Sequence, residues 1–134
     1  MENNQLINLA IKAREMAYAP YSGFKVGAAL LAKSGKVYLG CNIENASYSP
    51  TNCAERTAFF KAVSEGEREF EKLAIVGGMG DNLSNACPPC GVCRQVIAEF
   101  CDSDFVIVLG TPENISEHKL ADILPMAFTP KSLK

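Results

Sequence analysis

Cys90-Gly-Val-Cys93 and Cys53-Ala-Glu55 place three thiols and a carboxylate at the starts of two predicted helices. Cys90 and Cys93, three apart, share one helical face, and Pro89 just before them suits a helix start. Cys53 and Glu55 pose a sharper demand. Two residues on an ideal helix are separated by about 200°, so this pair converges on one point only if Cys53 stands at the very start, before the backbone turns helical. Thiols at helix N-termini ionise readily, because unpaired N–H groups and the helix dipole favour negative charge.

The surrounding pattern supplies a sheet for those helices. Leu6, Leu9, Ala10, Ala13 and Ala17 recur at helical spacing from Asn4 to Tyr18, and Ala19-Pro20 ends the run. Phe24 to Ala32 and Val37 to Asn42 read as strands joined by a turn at Lys33-Ser34-Gly35-Lys36. After a loop at Asn45 to Asn52, a helix is expected from about Cys53 to Ser64, ended by Gly66. Leu73 to Gly78 reads as a strand, Asp81 to Pro89 as a connection and Gly91 to Phe100 as a helix. Phe105 to Leu109 reads as a strand, Ser116 to Ile123 as a short helix and Leu124 to Lys134 as an irregular tail. A hairpin followed by helices alternating with single strands predicts an α/β fold. The expectation is a three-layer α/β/α sandwich with a mixed, about five-stranded sheet, in one domain spanning residues 1–134. Sites in such folds form where strands end and helices begin, and both cysteine segments fall at such junctions.

Bulk properties exclude several classes. The 134 residues carry a net charge of −2 and a pI near 5.4, which argues against binding nucleic acid through a basic face. No apolar run approaches the length that spans a bilayer, and the N-terminal Met1-Glu2-Asn3-Asn4-Gln5 lacks the basic region of a signal peptide. A cytoplasmic location is therefore expected. Six cysteines in such a chain read as metal ligands or small buried apolar residues rather than as a disulfide framework.

Three thiolates on zinc leave one tetrahedral position open, the arrangement of a catalytic centre, whereas closed structural sites use four protein ligands. Water there loses its proton near neutral pH, and Glu55 would have a task, taking that proton and delivering it to the group under attack. Arg56 and Arg94, each beside a motif, could offset the negative charge by donating to ligand sulfurs. Spacing leaves alternatives open. Cys87-x-x-Cys90 overlaps Cys90-x-x-Cys93, although the latter pair opens the helix and precedes Arg94. Cys41, Cys87, Cys101 or His118 could close the metal in a non-catalytic, zinc-stabilised binding module. Cys90 and Cys93 could also be a redox pair.

Cys53-Ala-Glu-Arg56 together with Pro89-Cys-Gly-Val-Cys-Arg-Gln95 resembles the paired zinc motif of the cytidine deaminase superfamily. Tyr21 to Leu30 (YSGFKVGAAL), Gly40 to Tyr48 (GCNIENASY) and Leu124 to Phe128 (LPMAF) narrow the resemblance to its small, homotetrameric, free-nucleoside branch. Five motifs in order cover nearly the whole chain. Cysteine as first ligand fits this branch, since those acting on deoxycytidylate or polynucleotides typically carry histidine there.

The resemblance implies one zinc per subunit held by Cys53, Cys90 and Cys93, with Glu55 as proton shuttle. It implies that Asn42 and Glu44 hold the ribose hydroxyls, that Phe24 lines the pyrimidine pocket and that the backbone at Ala54 reads the base edge. Phe128 would reach a neighbouring subunit's site; on residue type alone it would be core packing. The implied activity is hydrolytic deamination of cytidine and 2′-deoxycytidine to the uridine counterparts plus ammonia, in pyrimidine salvage. The implied partners are a nucleoside, water and three further copies of the chain, with no nucleic acid and no membrane. A blasticidin-type aminonucleoside deaminase is the nearest rival, and Asn42, Glu44 and the Leu124 to Phe128 tail favour cytidine.

Overall fold

The computed structural model describes residues 1–134. β1 (Phe24–Ala32) and β2 (Val37–Cys41) form the expected hairpin, and β3 (Phe70–Met79), β4 (Val106–Thr111) and β5 (Asn114–Lys119) complete a sheet of order β2-β1-β3-β4-β5. The β3–β4 pair is parallel and the others are antiparallel, so the sheet is mixed, as expected. Around it lie α1 (Asn3–Arg14), α2 (Ala54–Ser64), α3 (Gly91–Phe100), the one-turn α4 (Leu120–Ile123) and a short 3-10 turn, Pro130–Leu133.

Alternation along β1 sends its side chains to two layers. Ala28, Leu30 and Ala32 pack in a core with Ala58 and Phe59 of α2 and Ile97 of α3, while Ala29 and Leu31 meet Leu6, Ile7 and Ala10 of α1 on the opposite face. Two glycines permit this closeness. A Cβ built on Gly27 would stand 2.0 Å from the Ala10 carbonyl oxygen, and one on Gly40 would stand 2.3 Å from that of Ala54.

The topology also explains where the cysteines meet. β1 is antiparallel to both β2 and β3, so those two strands run the same way and end at one edge of the sheet. Their continuations, residues 42–53 and 80–90, carry the chain to the starts of α2 and α3.

Three elements depart from expectation. Ser116 to Lys119 is not helical: it belongs to β5, whose residues pair with Val106 to Thr111, and only Leu120–Ile123 forms a helical turn. β3 starts at Phe70 rather than Leu73, because β1 continues alongside it to Ala32. α1 stops at Arg14, and Tyr18 instead pairs with Ile43 in an isolated bridge.

Candidate metal centre

Cys53 and Cys90 are the N-caps of α2 and α3, both with extended backbone: φ −79°, ψ 157° for Cys53 and φ −68°, ψ 168° for Cys90. The non-helical geometry of Cys53 lets its side chain turn toward the same point as that of Glu55. Cys93 lies on the first turn of α3 and is buried. The three sulfurs lie within 4.8 Å of one another, and those of Cys53 and Cys90 are 3.8 Å apart. A tetrahedral site with zinc–sulfur bonds of about 2.3 Å has sulfur–sulfur edges of about 3.8 Å; the Cys53–Cys90 pair has that spacing, and the third thiol lies close enough to complete the set. Cys41, Cys87, Cys101 and His118 do not join the cluster, which leaves the centre three-ligand on the protein side.

The electrostatics suit a metal. Hydrogen bonds from Cys93 and from Arg56 hold the Cys53 thiol well below its ordinary range. Arg56 Nη2 donates to Cys53 Sγ at 3.3 Å, while its buried Nε has no partner. Arg94 departs from the expected role: it meets no sulfur, and its Nε and Nη1 donate to the carbonyl oxygens of Pro89 (2.8 Å) and Ile123 (2.6 Å). These two donors brace the approach to Cys90 and the C-terminal segment.

Glu55 is 4% exposed. Burial pushes its carboxyl up to about 7, the Cys53 thiolate beside it acts in the same direction, and the Cys93 thiol lies within hydrogen-bonding reach. A carboxyl poised there can both accept and return a proton near neutral pH.

Asn42 and Phe24 are joined directly. Asn42 Nδ2 donates to the Phe24 carbonyl (2.8 Å) and its Oδ1 accepts from Val26 N–H (2.9 Å), so this buried amide behaves as an extra rung beside β1. Phe24 Cε1 lies 3.2 Å from a Cβ built on Gly77, where Cys87 Sγ lies at 2.6 Å. Cys87 thus occupies the space that a side chain at position 77 would need, and burial pushes its thiol up to about 11, with Glu55 and Cys53 adding to the rise. Glu44 Oε1 accepts from the N–H groups of Tyr21 (3.0 Å) and Ser22 (3.1 Å), and its Oε2 accepts from Ser22 Oγ. Ala54, the first residue of α2, is fully buried, and its N–H is among the first four, which find no carbonyl within the helix.

Phe128 is not core packing. It is 61% exposed, and its carbonyl oxygen accepts from Gln95 Nε2 of α3 at 2.7 Å. A cavity of about 480 Å³ is bounded by the end of α3 and the C-terminal segment and touches none of these residues.

Two residues that hold this arrangement escaped the sequence reading. Arg14, 9% exposed, donates through Nη2 to the carbonyls of Gly78, Gly80 and Asn82 and through Nε to that of Lys25, fixing the connection that leads from β3 to Cys90. Its signal was present: it falls four residues after Ala10 on the apolar face of α1. Ser22 lies within the Tyr21 to Leu30 motif, but nothing in the residue pattern pointed to Glu44 as its partner.

Residues 1–109 match the family model described as "Cytidine and deoxycytidylate deaminase zinc-binding region". The cytidine deaminase of Sporosarcina psychrophila is 54% identical over 134 residues, covering 99% of this chain and 96% of that protein. That of Halalkalibacterium halodurans is 52% identical, covering 99% and 98%. A 1.6 Å crystal structure of cytidine deaminase from Burkholderia pseudomallei superimposes with a TM-score of 0.88 at 47% identity, covering 96% of this chain and 100% of that one.

Proposed function

The chain belongs to the cytidine and deoxycytidylate deaminase family and is a zinc-dependent hydrolase, and we propose on that premise that it converts free cytidine and 2′-deoxycytidine, with water, to the uridine counterparts and ammonia. The observation that carries the reading is the buried Glu55 carboxyl beside three convergent thiols.

Cys53, Cys90 and Cys93 would hold zinc, which supplies Lewis acidity that lowers the pKa of water toward neutrality. Glu55 accepts the proton released by the attacking water and delivers it to N3 of the pyrimidine as C4 is attacked. It then takes the proton of the new C4 hydroxyl and passes it to the amino group, so that the C4–N bond breaks, ammonia leaves and the C4 carbonyl of the uridine product forms. A carboxyl raised to about 7 is suited to both directions. Arg56 offsets the charge of the thiolates through Cys53.

Phe24 packs against the base, and an unpaired N–H at Ala54 reads its edge. Asn42 and Glu44 hold the sugar hydroxyls: Asn42 Nδ2 has a second N–H to offer, and an ionised Glu44 is an acceptor. Phe128 serves the site of a neighbouring copy in a homotetramer, which accords with its exposure. The product class places the enzyme in pyrimidine salvage.

Initial rates on cytidine, 2′-deoxycytidine, deoxycytidylate and an aminonucleoside of the blasticidin type, each competed against cytidine, test the substrate class. The two nucleosides are expected to have the highest kcat/KM. Preference for deoxycytidylate or the aminonucleoside would overturn this assignment.

A further inference from the structure

Ser22 occupies a junction between the segments assigned above to the two halves of the substrate. Its hydroxyl donates to Glu44 Oε2 and accepts from Phe24 N–H at 3.0 Å, while its own N–H donates to Glu44 Oε1 at 3.1 Å. The Phe24 N–H, by filling an acceptor position on Oγ, leaves the hydroxyl proton directed at the carboxylate. With Asn42 accepting from Val26 and donating to the Phe24 carbonyl, both backbone polar groups of Phe24 are held by side chains.

The Glu44 carboxylate is similarly constrained. Ionised, it offers about four acceptor positions, and Tyr21 N–H, Ser22 N–H and Ser22 O–H occupy three. These donors hold the carboxyl below its usual range, the Ser22 hydroxyl contributing most. The backbone on both sides is tied down as well: Glu44 N–H donates to Tyr18 O at 2.8 Å, and Gly23, at φ +71°, donates to Ala19 O at 3.0 Å. A carboxylate set this way presents one remaining acceptor position in a fixed direction.

We propose that Ser22 is a positioning residue that aims the Glu44 carboxylate at a sugar hydroxyl and locks that contact in register with Phe24. The inference rests on the assignment of Glu44 to the sugar. Its consequence is a form of selectivity: the advantage of a hydroxylated sugar over a dehydroxylated one should depend on a serine side chain outside the substrate contacts.

The test uses the zinc-replete enzyme and two substrates, cytidine and 2′,3′-dideoxycytidine, and reads the ratio of their kcat/KM values. Removing a hydrogen bond to a charged group costs roughly tenfold, so Ser22→Ala should narrow the ratio about tenfold, chiefly through KM for cytidine. Ser22→Thr, which keeps the hydroxyl, should retain the wild-type ratio. Glu44→Gln in parallel tests the underlying assignment. If Glu44→Gln leaves the ratio at its wild-type value, Glu44 does not read the sugar and the assignment fails. If Glu44→Gln collapses the ratio but Ser22→Ala does not, the assignment stands and the role of Ser22 is overturned. Equal narrowing in Ser22→Ala and Ser22→Thr would also overturn it, since the hydroxyl would not be the cause.

Discussion

Arg56 Nη2 donates to Cys53 Sγ at 3.3 Å, one turn into the helix that Cys53 caps. Three thiolates carry more negative charge than a divalent ion neutralises, and this contact places a fixed cation against the excess. Arg56→Gln should weaken zinc retention and activity by about 10- to 100-fold, the usual scale for groups that orient metal ligands. Competition with a chelator, alongside turnover, reads both. Arg94→Gln should retain zinc better, since Arg94 braces carbonyls rather than sulfur.

Removal of a ligand has a plainer result. Cys53→Ala leaves two thiolates on α3 and no third donor from α2, so metal content should fall well below one zinc per chain and turnover should be lost. Elemental analysis after dialysis measures it. Cys87→Ala, outside the trio, should keep its zinc.

Close packing of helices on the sheet predicts a steep cost for adding one methyl. Gly27→Ala and Gly40→Ala each drive a Cβ into helix backbone on opposite faces, and overpacking of this kind costs about 1–3 kcal/mol or more. Denaturant unfolding should show both losses. Gly35→Ala, with open space around it but φ +95°, should cost less.

Tyr38 offers a pH test remote from the site. Burial, then its hydrogen bond to Glu67, pushes the phenol up to about 12. Between about pH 10, where the unfolded phenol ionises, and pH 12, the folded protein binds the extra proton, so stability falls as pH rises through that window. Tyr38→Phe should flatten this alkaline limb in thermal melts.

The helix starts and the three-thiol set were legible in the sequence because they depend on local chemistry: Pro89, the cysteine spacing and the carboxylate two residues after Cys53. β5 was not. Asn114 to Lys119 contains one large apolar residue, Ile115, and becomes a strand because Val106 to Thr111 offers it an edge, a nonlocal fact. Ser22 and Arg14 were missed for the same reason, since their partners, Glu44 and residues 78–82, are brought beside them by the sheet. The exposure of Phe128 likewise depended on how the tail leaves α4, which apolar character alone could not reveal.

That exposure carries its own prediction. If the Phe128 ring completes a neighbour's site, wild-type protein should sediment as a tetramer, and Phe128→Ala should raise KM for cytidine. A monomer of full activity would remove the claim.

The most direct test of the whole account is the ultraviolet absorbance change of cytidine incubated with zinc-replete protein, wild type against Glu55→Gln. Wild type should convert cytidine to uridine, while Glu55→Gln should keep its zinc and lose nearly all turnover. Zinc-loaded wild type that leaves cytidine intact, or a Glu55→Gln variant as active as wild type, would contradict it.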